Sequence, residues 1–271
     1  MPLIQLIVLA IIQGITEFLP VSSSAHLILA PIVVDGWADQ GALIDIAAHV
    51  GSLGAVIAYF RSESMMLIRG GFDTVLFRES AERKLFLFIA GATIPIMAVA
   101  GVFFVFDLVD ALRSLTVIGL SSIVFGVLLW LADRAPATKD GLDRIGWREV
   151  MTIGAAQSLA VIPGVSRSGV TMTAARYLGW TRSEAARFSM LLAIPTILAF
   201  GLVAGLDLAS DGAGASAEAA AIVAVLSFAA AFASIAVFMR LMQRISMTPF
   251  VIYRVLLGLA ALAFAGMTSA G

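Results

Sequence analysis

The sequence has no cysteine in its 271 residues. That excludes disulfides, thiolate catalysis and cysteine-ligated zinc, and it leaves the redox compartment unassigned. Charge is scarce as well. Asp, Glu, Lys and Arg make up 13% of the chain, against about 25% in an ordinary soluble domain. The signs nearly cancel, with a formal net charge of −1, so no global field draws nucleic acid or an acidic surface. Residues 1–30 contain no Lys or Arg. Without a basic n-region they do not read as a cleaved signal peptide.

What the sequence does have is apolar residues. They are 61% of the total, and the mean hydropathy is +1.02. A soluble domain is about 45–50% apolar, so soluble domains, coiled coils and disordered tails are all excluded. Such a chain is better measured in membrane spans of about 20 residues. Apolar runs long enough to cross about 30 Å of hydrocarbon as a helix fall at about 41–60, 84–106, 114–132, 187–206, 219–239 and 250–268. Two further runs, at about 3–34 and 150–178, carry a Pro and a cluster of Ser in the middle. Pro ends or kinks a helix, and Gly frees the backbone. Broken backbone at membrane depth survives only where protein or water covers it. Both runs therefore read as re-entrant helix–loop–helix hairpins or interrupted spans.

Charge decides between those readings. Lys and Arg number five in 61–84, four in 134–148, three in 176–187 and two in 240–244. One lies in 107–113 and none in 35–40 or 207–218. If the second broken run enters and leaves on one side, fourteen basic residues share a face and one opposes them. A full crossing splits them nine to six. The positive-inside rule selects the first arrangement and places the basic loops in the cytoplasm. Asp35, Asp39, Asp207, Asp211 and Glu218 then lie outside.

A repeat underlies this topology. Gln13, Val21, Ser22 and Ser24 recur as Gln157, Val165, Ser166 and Ser168, at an offset of 144. Each half holds a broken hairpin and then three spans, and an odd number of spans inverts the second half. The expected fold is an all-α polytopic integral membrane protein with an inverted-topology repeat. Each half is a re-entrant helix–loop–helix plus three transmembrane helices, giving six spans and two re-entrant hairpins. Residues 1–271 form a single membrane domain, with repeat one at about 1–133 and repeat two at about 145–271. Inverted repeats with broken helices place a site near the midplane, at the repeat interface. That points to 13–26 facing 157–169.

These two stretches hold ionisable groups at membrane depth, where charge is costly and either paired or functional. The first offers Glu17 and His26, the second Arg167. Ser22, Ser23, Ser24, Ser166 and Ser168 add five hydroxyls. Arg presents a fork of donors suited to phosphate oxygens, and the N–H groups starting a half-helix add more. A hydroxyl beside His is a nucleophile-plus-base arrangement. Glu can hold the imidazole or ligate a divalent cation. An anionic group, most simply a phosphate, suits this set best. Plainer readings stand beside these. Glu17 and Arg167 neutralise each other as an ion pair between repeats. The serines, Ser22 and Ser168 foremost, satisfy backbone groups freed near Pro. His26 is a hydrogen-bonded core residue. Asp45 and His49, four apart on one helical face, form a structural or supporting pair. Arg182, Glu184 and Arg187 are solvated or interfacial charges.

The stretch from Gln13 to His26 resembles the Glu/Gln-Gly-x-Thr-Glu-Phe-Leu-Pro-Val-Ser-Ser-Ser/Thr-Gly/Ala-His signature of the undecaprenyl-diphosphate phosphatase family, also called the bacitracin-resistance family. Pro163 to Gly169 resembles its Pro-Gly-x-Ser-Arg-Ser-Gly signature. The resemblance continues through Phe188-Ser189-Met190-Leu191-Leu192-Ala193-Ile194-Pro195 and Pro249-Phe250-Val251-Ile252-Tyr253-Arg254, and it covers nearly the whole chain in order. It implies a phosphatase of the bacterial cytoplasmic (inner) membrane that converts a polyprenyl diphosphate to the monophosphate carrier lipid for peptidoglycan, with bacitracin resistance as a consequence. It places the family's essential Glu at Glu17, its catalytic His at His26, its nucleophilic Ser at Ser23 and its phosphate-binding Arg at Arg167. Gln13, Ser22, Ser24, Ser166 and Ser168 fall on substrate-binding positions. One departure is Gln13, where many members carry Glu; a Gln carbonyl contacts a hard cation without charge.

The expected chemistry follows the resemblance. Arg167 and backbone donors grip the diphosphate, Ser23 attacks the terminal phosphorus, and His26 takes its proton. Glu17 orients His26 or, with Gln13, a divalent cation, Mg²⁺ or Ca²⁺. Direct attack by water is the alternative. The expected partners are the polyprenyl diphosphate and membrane lipid, with no nucleic acid and a homodimer as the candidate assembly. The site is expected to open to the periplasmic side. The rival function is a lipid flippase or transporter on the same inverted-repeat architecture. The absence of native cysteine makes the topology directly testable. Single cysteines at 35–40 and 207–218 are expected to react with an impermeant maleimide on intact cells. Those in 61–84 and 134–148 should react only after lysis, and the reverse pattern overturns the assignment.

Overall fold

The computed structural model describes residues 3–34, 37, 40–106, 108, 112–141, 145–211 and 217–269, without the side chains of 33, 207–211 and 268–269. Asp35 and Asp39, and the side chains of Asp207 and Asp211, thus lie outside the described residues. The described backbone is helical, with no strand among the described residues. Its first half is α1 (Leu3–Thr16), α2 (Ser23–Val33), α3 (Ala42–Tyr59), α4 (Arg61–Val75), α5 (Ala81–Val105) and α6 (Leu115–Asp133). Its second half is α7 (Trp147–Gln157), a 3-10 turn (Ser158–Val161), α8 (Arg167–Tyr177), α9 (Arg182–Asp211), α10 (Ala217–Met242) and α11 (Thr248–Ser269). Six of these helices, α3, α5, α6, α9, α10 and α11, are long and apolar enough to cross a membrane. They match the six expected spans, and the chain is a polytopic membrane protein.

Local chemistry sets the ends. α1 stops at Thr16 because the Pro20 ring collides with the carbonyl four residues back and offers no N–H to it. Pro163 stands in the same relation to Leu159, where the chain tightens into the 3-10 turn. Each break ends in a serine cap. Ser22 accepts from the Ala25 N–H at 3.4 Å, and Ser166 accepts from the Gly169 N–H at 3.1 Å. Both caps hold a positive φ, 73° and 68°, a strained backbone for a side chain with a Cβ. At the entrance to α7 the Gly146 N–H donates to Glu149 Oε2 at 2.6 Å, and Lys139 donates to Oε1. Burial pushes the Glu149 carboxyl up, but Lys139 and the Gly146 N–H outweigh it and hold the carboxyl below the usual carboxylate range.

α1 has 14 residues and α2 has 11, each too short to cross about 30 Å of hydrocarbon. The two halves exchange their broken segments. α1 packs on α10, the second span of the other half, and α7 packs on α5, the second span of the first half. α3 packs on α10, α6 on α11, and α3 also meets α9. Between α3 and α5 the basic stretch is a helix, α4. Its Leu67 and Gly70 are buried while Ile68, Phe72 and Val75 are exposed. The charges of 61–84 read as a basic loop, but the apolar spacing within it forms a helix.

Small residues let the spans approach closely, as membrane packing favours. A Cβ on Gly51 of α3 would sit 2.1 Å from the Ala224 carbonyl oxygen of α10. Ser227 Oγ donates to the Ala48 carbonyl at 2.7 Å across the same contact. Gly101 of α5 meets nothing within 4 Å. Gly51→Leu is expected to lower the melting temperature in detergent sharply, since overpacking costs about 1–3 kcal/mol even against mobile side chains. Gly101→Leu should leave it within about a degree, the behaviour of a substitution that forces no strain.

Candidate active site

The two breaks lie against each other, and several backbone carbonyls within them accept from side chains elsewhere in the fold. Ser168 Oγ donates to the Leu19 carbonyl at 2.8 Å, and Ser121 Oγ to the Pro163 carbonyl at 2.6 Å. Arg254 of α11, fully buried, reaches both breaks. Its Nη1 donates to the Pro20 carbonyl at 3.3 Å, and its Nη2 to those of Gly164 and Val165 at 2.8 Å each. Its Nε donates to the Ser122 carbonyl at 3.3 Å.

Locked together, the breaks bring the starts of α2 and α8 to one place. The first residue after each serine cap is Ser23 in α2 and Arg167 in α8. A helical Cβ tilts toward the N-terminus, so both side chains lean back into the breaks, and both reach Glu17. Ser23 Oγ donates to Glu17 Oε2 at 2.7 Å, and Arg167 Nη2 donates to Oε1 at 3.1 Å. Gln13, one turn earlier on α1, donates from Nε2 to Oε2 at 2.9 Å. His49 Nε2 of α3 stands 3.8 Å from Oε2. Glu17 is 8% exposed, a buried carboxylate matched by one guanidinium and two neutral donors.

The remaining expected residues divide. Ser22 and Ser166 cap helices, and Ser168 donates to a backbone carbonyl. Ser24 lies within 3.2 Å of Ser22 Oγ, and Ser168 within 3.1 Å of Ser166 Oγ, the same pairing in both halves. His26 is placed differently from expectation. A carbonyl only accepts, so the 2.7 Å contact with the Ser22 carbonyl puts the proton on Nδ1. Nε2 then accepts from the Tyr253 hydroxyl at 2.5 Å, and the two rings stack with centroids 5.6 Å apart. The Ser23 proton is directed at Glu17, and Glu17 does not orient His26. The physical reason is position: Ser23 faces back into the break, while the His26 ring turns toward α11.

His49 joins the site where the sequence reading had it only as a supporting partner of Asp45. Its Nδ1 donates to the Asp45 carbonyl at 2.8 Å, which leaves Nε2 toward Glu17, while the Asp45 carboxylate accepts from Gln40 at 2.7 Å. Tyr253 and Arg254 were not singled out either. Arg254 had a signal, a basic residue inside an otherwise uncharged span; Tyr253 had only its place in the family-like stretch Pro249 to Arg254.

Glu17, Arg167, Asp45 and His49 line a cavity of about 350 Å³ together with the apolar Ile46, Ile96, Ile197 and Phe200. A mostly apolar lining that includes a guanidinium suits an amphiphile with an anionic head. For a divalent cation, Glu17 and the Gln13 Oε1, buried without a hydrogen-bond partner, fit as two oxygen ligands. Among the described residues no three His, Cys, Asp or Glu side chains converge. Two such oxygens form no closed cage and leave most of an ion's coordination to other ligands.

Fold and site together define a polytopic membrane protein with a candidate active site for the anionic head of an amphiphile. Residues 6–260 match the family model of the bacitracin resistance protein BacA, and the chain belongs to that family. It is similar to proteins named undecaprenyl-diphosphatase in several bacteria. The one from Maricaulis maris is 54% identical over 267 residues, covering 97% of this chain and 99% of the relative. That of Teredinibacter turnerae is 49% identical, covering 95% and 97%. That of Jannaschia is 45% identical, covering 98% and 99%.

Arg254→Leu is expected to lower the melting temperature in detergent by many degrees, because each buried carbonyl left without a donor costs about 1–3 kcal/mol. Arg254→Lys, a single point donor, should recover only part of the loss.

Proposed function

We infer that this protein hydrolyses undecaprenyl diphosphate to undecaprenyl phosphate and inorganic phosphate, returning the carrier lipid to cell-envelope synthesis in the bacterial inner membrane. One observation carries the reading: Ser23 and Arg167, at two converging helix starts, both reach Glu17, and Glu17 and Arg167 line a cavity with apolar walls. Membership of a family with near-full-length relatives named undecaprenyl-diphosphatase supports it.

The geometry supports a specific route. Arg167 and the N-terminal N–H groups of α2 and α8 take the terminal phosphate. Phosphoryl transfer depends mostly on such positioning and charge stabilisation. Ser23 Oγ attacks the terminal phosphorus, and its proton passes to Glu17 Oε2, the acceptor it already holds at 2.7 Å. The bond from phosphorus to the bridging oxygen breaks, and undecaprenyl phosphate leaves with that oxygen. Water then attacks the phosphoserine, releases inorganic phosphate and restores the Ser23 hydroxyl. His26 enters as a proton carrier once Tyr253 releases its Nε2. A divalent cation held by Glu17 and Gln13 would offset charge on the diphosphate. The prenyl tail stays against the apolar walls and lipid.

The cavity reaches Ala42 of α3 and Ala204 of α9. Both lie at the ends of their helices away from the basic stretches at 61–84 and 176–187. By the positive-inside rule that opening faces the periplasm, with both hairpins re-entrant and the second half inverted.

Phosphate release by purified protein in detergent tests the reading and separates it from a flippase. Glu17→Gln and Ser23→Ala are expected to lower kcat by about 10²–10⁴, the scale of a lost proton acceptor or nucleophile. Arg167→Lys should raise KM as well as lower kcat, because a point charge replaces a fork. No release by the wild type, with Arg167→Ala equally inert, overturns the phosphatase. Gln13 gives a separate measurement. Gln13→Glu should lower, and Gln13→Ala raise, the Mg²⁺ concentration for half-maximal rate after chelator treatment; an unchanged metal dependence in both removes Gln13 from the cation site.

A further inference from the structure

A second polar cavity lies at the basic ends of the spans and shares no lining residue with the first. The ends of α6 and α8, the start of α9 and the α10–α11 turn enclose about 840 Å³. Its charged lining is Asp133, Arg134, Arg176 and Arg182. One buried carboxylate serves two of these arginines. Asp133 accepts from Arg182 Nε at 2.6 Å and Nη2 at 3.0 Å, and from the Met247 N–H at 3.0 Å. Arg176 is 3% exposed. Its Nη2 donates to the Asp133 and Ala135 carbonyls at 3.0 and 2.7 Å, and its Nη1 to that of Trp180. Its Nε–H has no hydrogen-bond acceptor, and Asp133 Oδ1 stands 3.6 Å away.

Arg134 has no carboxylate partner among the described residues. Its guanidinium carbon lies 3.3 Å from the centroid of the Trp130 ring, and the side chain is exposed. Asp140, which accepts from Thr181 at 3.1 Å, adds one negative charge at the rim. Three guanidiniums against two carboxylates leave a cationic excess, and Arg182, Ser183 and Thr248 bring the positive ends of α9 and α11 to the same cavity. Cationic excess that is partly buried at the membrane boundary calls for an anion.

We propose that this cavity binds the phosphate head of an anionic membrane lipid. A lipid is the source because the cavity sits where four membrane-length helices begin or end, beside an interfacial Trp130, and basic pockets between helices at that level take such heads. The Arg134 fork supplies donors for phosphate oxygens, and Arg176 and Arg182 add positive charge to the lining. A bound head would tie the last span of the first half to α8, α9, α10 and α11.

The test uses the full-length protein in detergent, titrated with phosphatidylglycerol, phosphatidylcholine or inorganic phosphate. Bound lipid is read by native mass spectrometry, alongside the melting temperature. Phosphatidylglycerol should be retained and should raise the melting temperature, and the other two should do neither. Arg134→Glu, at an exposed position, should weaken that retention by roughly tenfold or more, as reversing a charge beside an anionic head requires. Arg134→Lys should keep most of it. Hydrolysis of a short, soluble prenyl diphosphate by both variants should be unchanged, which establishes that they are folded. Equal retention by Arg134→Glu, equal retention of phosphatidylcholine, or the same stabilisation by inorganic phosphate overturns the proposal.

Discussion

Backbone groups freed where a helix breaks have to find partners, in hydrocarbon from within the protein, and the two breaks in this chain are satisfied together. Ser168, in one break, serves the Leu19 carbonyl in the other, and the single Arg254 side chain serves Pro20, Gly164 and Val165. Locking the breaks in this way fixes where α2 and α8 begin. Their N-termini converge, and the first side chain of each points into the same small space. The candidate chemistry is built on a solution to a backbone problem. Remove the carbonyl donors and Glu17 no longer has Ser23 on one oxygen and Arg167 on the other.

The halves are nearly equivalent at the breaks, and the site lives in their differences. At the offset of 144, both caps are serines, both second hydroxyls pair with the cap, and Gln13 and Gln157 are both fully buried. Where the first half has Glu17 the second has Val161, and where the first has Ser23 the second has Arg167. Gln13 holds Glu17, while Gln157 has no acid to hold and donates to the Ala92 carbonyl at 3.2 Å. A symmetric pair would place two carboxylates or two guanidiniums face to face. The substitutions yield one carboxylate, one hydroxyl and one guanidinium, a set that can bind an anion and move a proton.

Arginine illustrates how context assigns a role. Of the 17 Lys and Arg residues, fifteen lie in the stretches between spans or at span ends, and only Arg167 and Arg254 lie deep in apolar segments. Arg167 meets a carboxylate in the lining of a cavity, which leaves its fork within reach of a ligand there. Arg254 meets only carbonyls and is sealed from the cavity, so its fork is committed to the fold. Composition made both residues conspicuous for the same reason, the cost of charge in hydrocarbon.

Much was legible before any coordinates. The thickness of hydrocarbon sets the length of a span, so six spans could be read from apolar runs alone. Proline and clustered serine mark broken backbone, so both breaks and the facing of Glu17 and Arg167 followed. The α4 helix was missed because its charges masked its apolar spacing. His49 and Tyr253 were missed because their partners, Glu17 and His26, are far away along the chain. The direction of the Ser23 proton was also beyond the sequence. Residue types and spacings by themselves determined where the chain crosses the membrane, where it breaks and which rare polar groups gather there. Which of those groups touch was left to tertiary packing, because a hydrogen bond is decided within about 3 Å, a scale set by helix starts, rotamers and neighbours from the other half.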